Sequence, residues 1–297
     1  MGAPQAVLET IYTTPHYHFV MNNNLKTLYQ LFKKIHSFEN DNSGYSLGKS
    51  TILKVFKATN NYTQEDLLAR LTLIDSMYST QMGRRYYGLE ELAAALLSVH
   101  SKKHIKSAFL DFLKDKDMKP FELGKKTNLF TEKYGIGKNG EDKGGAVSLI
   151  SKYAYFETEF KFPIYDSIVR EMYPRIWNYC GFPKSELPEF KSNDIINFIS
   201  LIDLLISKLD CKYVTYDTLD RVLWYVGKIY RGNLSLVLSR EEYDAFAEKY
   251  TKTEDGKKVF AFDIATVDLK SLPIKKDSLV YDFFVLAKEL KQLDSKP

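Results

Sequence analysis

Asp166 is the residue best placed to do chemistry. It follows Phe162-Pro163-Ile164-Tyr165 and precedes Ser167-Ile168-Val169-Arg170. Pro163 ends whatever runs before it and biases Phe162 toward an extended conformation. The aspartate then stands where a helix N-cap would stand. A carboxylate fixed there can stabilise a developing positive charge and orient a water, or it can simply cap the helix. Upstream, Tyr134-Gly135-Ile136-Gly137-Lys138 reads as a tight glycine turn leading into a small-residue segment and a helix from about Ala146 to Phe156. Unpaired N–H groups at such a place can hold a phosphate. Arg84-Arg85-Tyr86-Tyr87 joins basic and aromatic groups, a combination that binds a nucleic-acid backbone and stacks on bases, or that forms an ordinary helix junction. His100 and His104 are spaced i, i+4 and read as one helix face, with Lys102 and Lys103 between them and no glutamate of the zinc-protease kind, so no metal site is expected.

Two of these segments, taken in order, resemble the helix-hairpin-helix DNA glycosylases, the endonuclease-three-like superfamily that includes the 8-oxoguanine glycosylases. The hairpin of that family reads roughly Gly-hydrophobic-Gly followed by Lys and small residues. Gly135-Ile136-Gly137 fits, with Asn139-Gly140-Glu141-Asp142 inserted before Lys143-Gly144-Gly145-Ala146. The family's catalytic aspartate lies in a Pro-x-x-Asp-Thr-His-Val segment. Pro163-Ile164-Tyr165-Asp166-Ser167-Ile168-Val169 keeps the proline, the aspartate, a hydroxyl residue and the valine, with Ile168 in the place of the histidine. Leu73-Ile74-Asp75-Ser76-Met77-Tyr78-Ser79-Thr80-Gln81 resembles the family's helix ending in Ser-x-Gln, whose glutamine enters the duplex.

The resemblance implies an enzyme that flips a damaged or modified base out of double-stranded DNA and hydrolyses its N-glycosidic bond. The departures from the family pattern suggest an uncommon or bulky base, of the kind found in bacteriophage DNA. Asp166 would steady the cationic sugar. A lyase activity would need an amine, for which Lys143 and Lys152 are the candidates; a monofunctional hydrolase is preferred. Gln81, Arg84, Arg85, Gly135, Gly137 and Lys138 would contact DNA, and Tyr165 would either line the base pocket or pack. No cofactor is expected. Two rivals remain: the same fold holding DNA without chemistry, and a helical interaction protein whose motif matches are accidental.

The 297 residues suffice for a large core. Hydrophobic residues at 44% and charged ones at 27% are those of an ordinary globular chain. The net charge is +4; the segment from Ser101 to Lys152 sums to +5 and the rest of the chain to −1, so the excess surrounds the glycine turn, where phosphates would sit. Cys180 and Cys211 are too few for a disulfide framework or a four-cysteine iron–sulfur site. With no long apolar run and no signal-peptide pattern, a cytoplasmic monomer off the membrane is expected.

Apolar periodicity predicts an all-α protein: two helical lobes around a cleft, with a helix-hairpin-helix. Residues 1–61 are read as N-terminal helices packing with the C-terminal lobe, 62–156 as a barrel-like lobe with the hairpin, and 157–297 as the C-terminal lobe and tail. Helices are expected at Glu65–Tyr78, Leu89–His100, Ile105–Leu113, Asp166 to about Tyr173, after Asn193-Asp194, Thr215–Tyr230, Arg240–Tyr250 and Leu279–Leu290. Pro174 should kink or end its helix. Glu254-Asp255-Gly256 is placed to turn a small β-hairpin. Trp177 and Trp224 are assigned to the core.

Overall fold

The computed structural model describes residues 22–37, 44–124, 126–254 and 257–295. His16, His18 and residues 38–43 lie outside them. The protein is all-α, with one antiparallel pair of short strands: β1, Thr251–Glu254, against β2, Lys257–Phe260. The expected hairpin is therefore present, with residues 255 and 256 of its turn outside the described set. No helix among the described residues is long and apolar enough to cross a membrane.

The eleven helices described are α1 (Asn23–Ser37), α2 (Gly44–Ala58), α3 (Gln64–Tyr78), α4 (Gly88–Lys102), α5 (Ile105–Asp115), α6 (Val147–Glu157), α7 (Ser167–Tyr179), α8 (Ile195–Leu209), α9 (Tyr216–Tyr230), α10 (Arg240–Tyr250) and α11 (Leu279–Asp294). Several of their starts follow local capping chemistry. Thr63, Thr215 and Ser239 close capping boxes, and Asp166, Asp194 and Ser278 each accept an N–H from the first turn.

Two groups of helices share one continuous core. α2 to α6 form the first, and α7, α9 and α11 the heart of the second. α1 packs against α9 and α11, whereas α2 packs against α3 and α6. α6 is buried on nearly every side, the mark of a central helix. Among its neighbours is a closed polar cluster. The Arg70 guanidinium, 1% exposed, donates to Glu157 at 2.7 Å, to Thr59 Oγ1 at 2.9 Å and to the Phe56 carbonyl at 2.9 Å.

Three expectations change. α7 runs through Pro174 to Tyr179. The missing N–H costs a helical bond, but Ile176, Trp177 and Tyr179 are buried beyond it, and the Arg175 guanidinium donates to the Glu171 carbonyl at 2.7 Å. His104 is not on the helix of His100; it is the N-cap position of α5. The two imidazoles meet across the junction at 5.2 Å, and Tyr62 stacks on His100 at 4.3 Å. Trp224 is only half-buried and forms a cleft wall, while Trp177 is core.

Candidate active site

α6 and the extended segment before α7 assemble the site. The Tyr165 N–H donates to Ser151 Oγ at 2.9 Å, a buried bond that ties residues 162–166 to α6. Lys152, the next residue on that helix, is thereby held against Asp166. Its Nζ donates to Ser148 Oγ at 2.7 Å and lies 3.5 Å from Asp166 Oδ2. The lysine side chain is 2% exposed and the aspartate 22%. Asp166 Oδ1 accepts the Ile168 N–H at 2.7 Å. One oxygen thus caps α7, and the other faces Lys152 and open space. The capping reading of this aspartate is thus borne out, and its second oxygen lies outside the capping bond.

That open space is a cleft of about 640 Å³ between the two helix groups, with a smaller recess of about 260 Å³ beside it. Tyr78, Ser79, Lys152 and Asp166 border both. The larger cleft is walled by Trp224, Tyr225 and Met77, and Lys49, Asp220, Lys228 and Glu242 also reach it. Its volume lies within the range of small-ligand sites.

The sequence candidates divide. Gln81 borders the smaller recess and is exposed. It is held there by Asp75, whose carboxylate accepts the N–H groups of Met82 and Gly83 at 2.8 Å each and pairs with Thr80; Gln81 itself takes a left-handed conformation, φ +64°. Arg84 is exposed. Arg85 is turned inward instead, donating to the Gly144 carbonyl at 2.7 Å and the Tyr134 carbonyl at 3.3 Å, so it ties down the glycine turn. Lys138 is exposed at the tip of the turn. Lys143 pairs with Glu141 at 2.6 Å and borders neither cavity, which leaves Lys152 as the amine beside Asp166. Tyr165 packs: its ring meets Phe198 at 5.1 Å and its hydroxyl accepts the Asn193 N–H, so it touches only the edge of the smaller recess.

The glycine turn is built differently from the expectation. It is followed by α6, but an irregular connection, with one short 3-10 turn at Lys119–Phe121, separates it from α5. Its N–H groups are largely used. Gly135 donates to Glu91 at 2.6 Å, Ile136 to the Tyr86 carbonyl at 3.1 Å and Gly137 to the Glu141 carbonyl at 2.8 Å. These groups are therefore not offered to a phosphate. Gly135 is required for another reason. Its φ is +75°, and a Cβ there would stand 2.8 Å from Gly88 Cα. The close approach lets Ile136 pair with Tyr86 in a two-way backbone bridge. The turn and the Arg84–Tyr87 segment, distant in sequence, so become one surface, from which Tyr86 and Tyr87 project at 57% and 64% exposure.

Three cleft residues escaped sequence reading. Lys49 pairs with Asp217 and lies over the Phe160 ring at 4.2 Å. Burial pulls its amine down to about 8, although Asp217 works the other way. Lys228 sits over Trp224, its amine lowered chiefly by burial. Asp220 is 7% exposed, and its carboxyl is pushed up to about 7, by burial first and by the charge of Asp166 second. The available signal was an aspartate between Leu219 and Val222 on the apolar side of a helix. Its neighbour Asp217 is held below the usual range: burial opposes this, but Lys49 and Arg221 outweigh it.

No protein-family model, curated protein or solved structure matches the chain.

Proposed function

We propose that this protein is a DNA N-glycosylase that removes a modified base at the Asp166 cleft. The observation that carries the reading is convergence. Gln81 and Asp166, matched to the family in two separate segments, border with Lys152, the second amine candidate, one recess of about 260 Å³ that shares its inner wall with the larger cleft. The chemistry needs one carboxylate beside the sugar, because breaking the base–sugar bond builds positive charge there. Asp166 has one oxygen free of its capping bond, and Lys152 sits against it.

On this reading the exposed groups Arg84, Tyr86, Tyr87 and Lys138 meet the duplex, and Gln81 occupies the gap left by the extruded base. The aromatic walls Trp224 and Tyr78 receive the base, with room for a substituted one. Hydrolysis by water is favoured over attack by the lysine, since Lys152 Nζ is buried and already bonded to Ser148.

The test is a panel of duplexes, each with one modified base, incubated with the protein and probed for abasic sites by alkaline cleavage. Base release lost in Asp166→Asn, and retained in Lys143→Ala, is the expected result. Borohydride should trap no protein–DNA adduct. Salt-sensitive DNA binding without base release from any duplex would replace the enzyme with a binding module. Absence of DNA affinity at low salt would end both.

A further inference from the structure

We propose that Asp220 is the general acid of the cleft, giving its proton to the departing base while Asp166 steadies the sugar and takes a proton from the attacking water. The inference rests on the glycosylase reading above and adds a second carboxylate to it.

Asp220 projects from α9 into the larger cleft, which Asp166 enters from the start of α7. It is more than nine-tenths buried, yet among the described residues its carboxylate accepts no hydrogen bond. Asp217, one turn earlier on the same helix, shows the contrast: Lys49 and the Tyr155 hydroxyl both donate to it. Its oxygens open only onto the cleft, and burial together with the Asp166 charge favours the neutral acid, with no donor among the described residues to offset them.

The surrounding charges agree. From α2, Lys49 is engaged by Asp217, and from α6, Lys152 is engaged by Ser148 and Asp166; each favours the Asp220 anion, but less than burial and Asp166 oppose it. Lys228 on α9 and Glu242 on α10 reach the same cleft from further along the wall. Tyr78 on α3 stays neutral, its hydroxyl raised far above the ordinary value by burial. Two carboxyl groups sharing one cleft, one of them raised by burial, are an arrangement in which that one can act as acid and the other as base.

The step balances. The bond from C1′ to the base nitrogen breaks and its electron pair leaves with the base, which takes the Asp220 proton. Water adds at C1′ and gives a proton to Asp166. A proton then returns from Asp166 to Asp220 through solvent, so the net change is water added across the glycosidic bond.

The experiment is a single-turnover pH–rate profile for base release from a duplex that the wild-type protein processes. The wild-type rate should fall roughly tenfold per pH unit above about pH 7, and Asp220→Asn should be slower by roughly 10²–10⁴-fold at pH 6 and flat with pH. A second measurement uses only the wild type. A base carrying an electron-withdrawing fluorine leaves with less help, so its alkaline fall should shrink relative to the parent base. An Asp220→Asn variant with wild-type rate and profile, or an alkaline fall equal for both bases, overturns the general acid while base release stands. No base release from any duplex overturns the glycosylase reading and this inference together.

Discussion

Gly227→Ala tests how Asp166 is held in place. Gly227 is buried on α9 where that helix crosses α7. A Cβ there would lie 2.2 Å from Ile168 Cγ2 and 2.9 Å from Met172 Cγ. Carbon atoms in contact sit about 3.5–4.0 Å apart, so the two helices must separate by more than an ångström or Ile168 must leave its rotamer. Alanine gains about 1 kcal/mol of helix propensity over glycine. Overpacking of a closed interface costs about 1–3 kcal/mol and sometimes more, and a clash this deep belongs at the upper end. The expected net loss is about 1–2 kcal/mol, which for a chain of this size lowers the melting temperature by roughly 2–6 °C. Thermal and urea melts followed by far-ultraviolet circular dichroism read it directly. Ile168→Ala alone should cost about 2–5 kcal/mol through its cavity. Combined with Gly227→Ala it should cost less than the sum, with a coupling of at least about 1 kcal/mol. Since Ile168 also donates its N–H to Asp166, base release should fall in Gly227→Ala at temperatures well below the melt. An unchanged or raised melting temperature, or strict additivity of the two substitutions, would refute the close-packing argument.

Two further outcomes concern buried charge. Glu157→Ala strands the Arg70 guanidinium in the core and should cost about 3–5 kcal/mol; a loss below about 1 kcal/mol in urea melts would show that the Phe56 and Thr59 contacts suffice without the carboxylate. Asp220 has a raised folded-state value, so its contribution to stability is full below about pH 4, declines as pH rises, and is gone above about 7. Wild type should therefore lose on the order of 4 kcal/mol relative to Asp220→Asn between pH 4 and pH 8. Asp166→Asn should move that decline to lower pH by removing the neighbouring charge. Parallel stability curves for wild type and Asp220→Asn would refute the buried neutral carboxyl.

What the sequence determined by itself is local. Asp166, Asp194 and Thr215 announce their helices because a side-chain oxygen bonds an N–H two or three residues on, and that bond needs no other part of the fold. Apolar spacing fixed the helical class for the same reason. Pro174 shows the limit. Its local cost was legible, but the burial of Ile176 and Trp177 that outweighs it was not. The same holds for the glycine turn, whose N–H groups looked open to a phosphate until Glu91 and Tyr86 arrived from another helix and loop. Tertiary structure alone decided which charges share the cleft. Lys49, Lys152, Asp166 and Asp220 come from four separate elements, and the shifted proton affinities of Lys49 and Asp220 are set by burial and by the charges around them. Those are properties of distance in space, and no spacing along the chain encodes them.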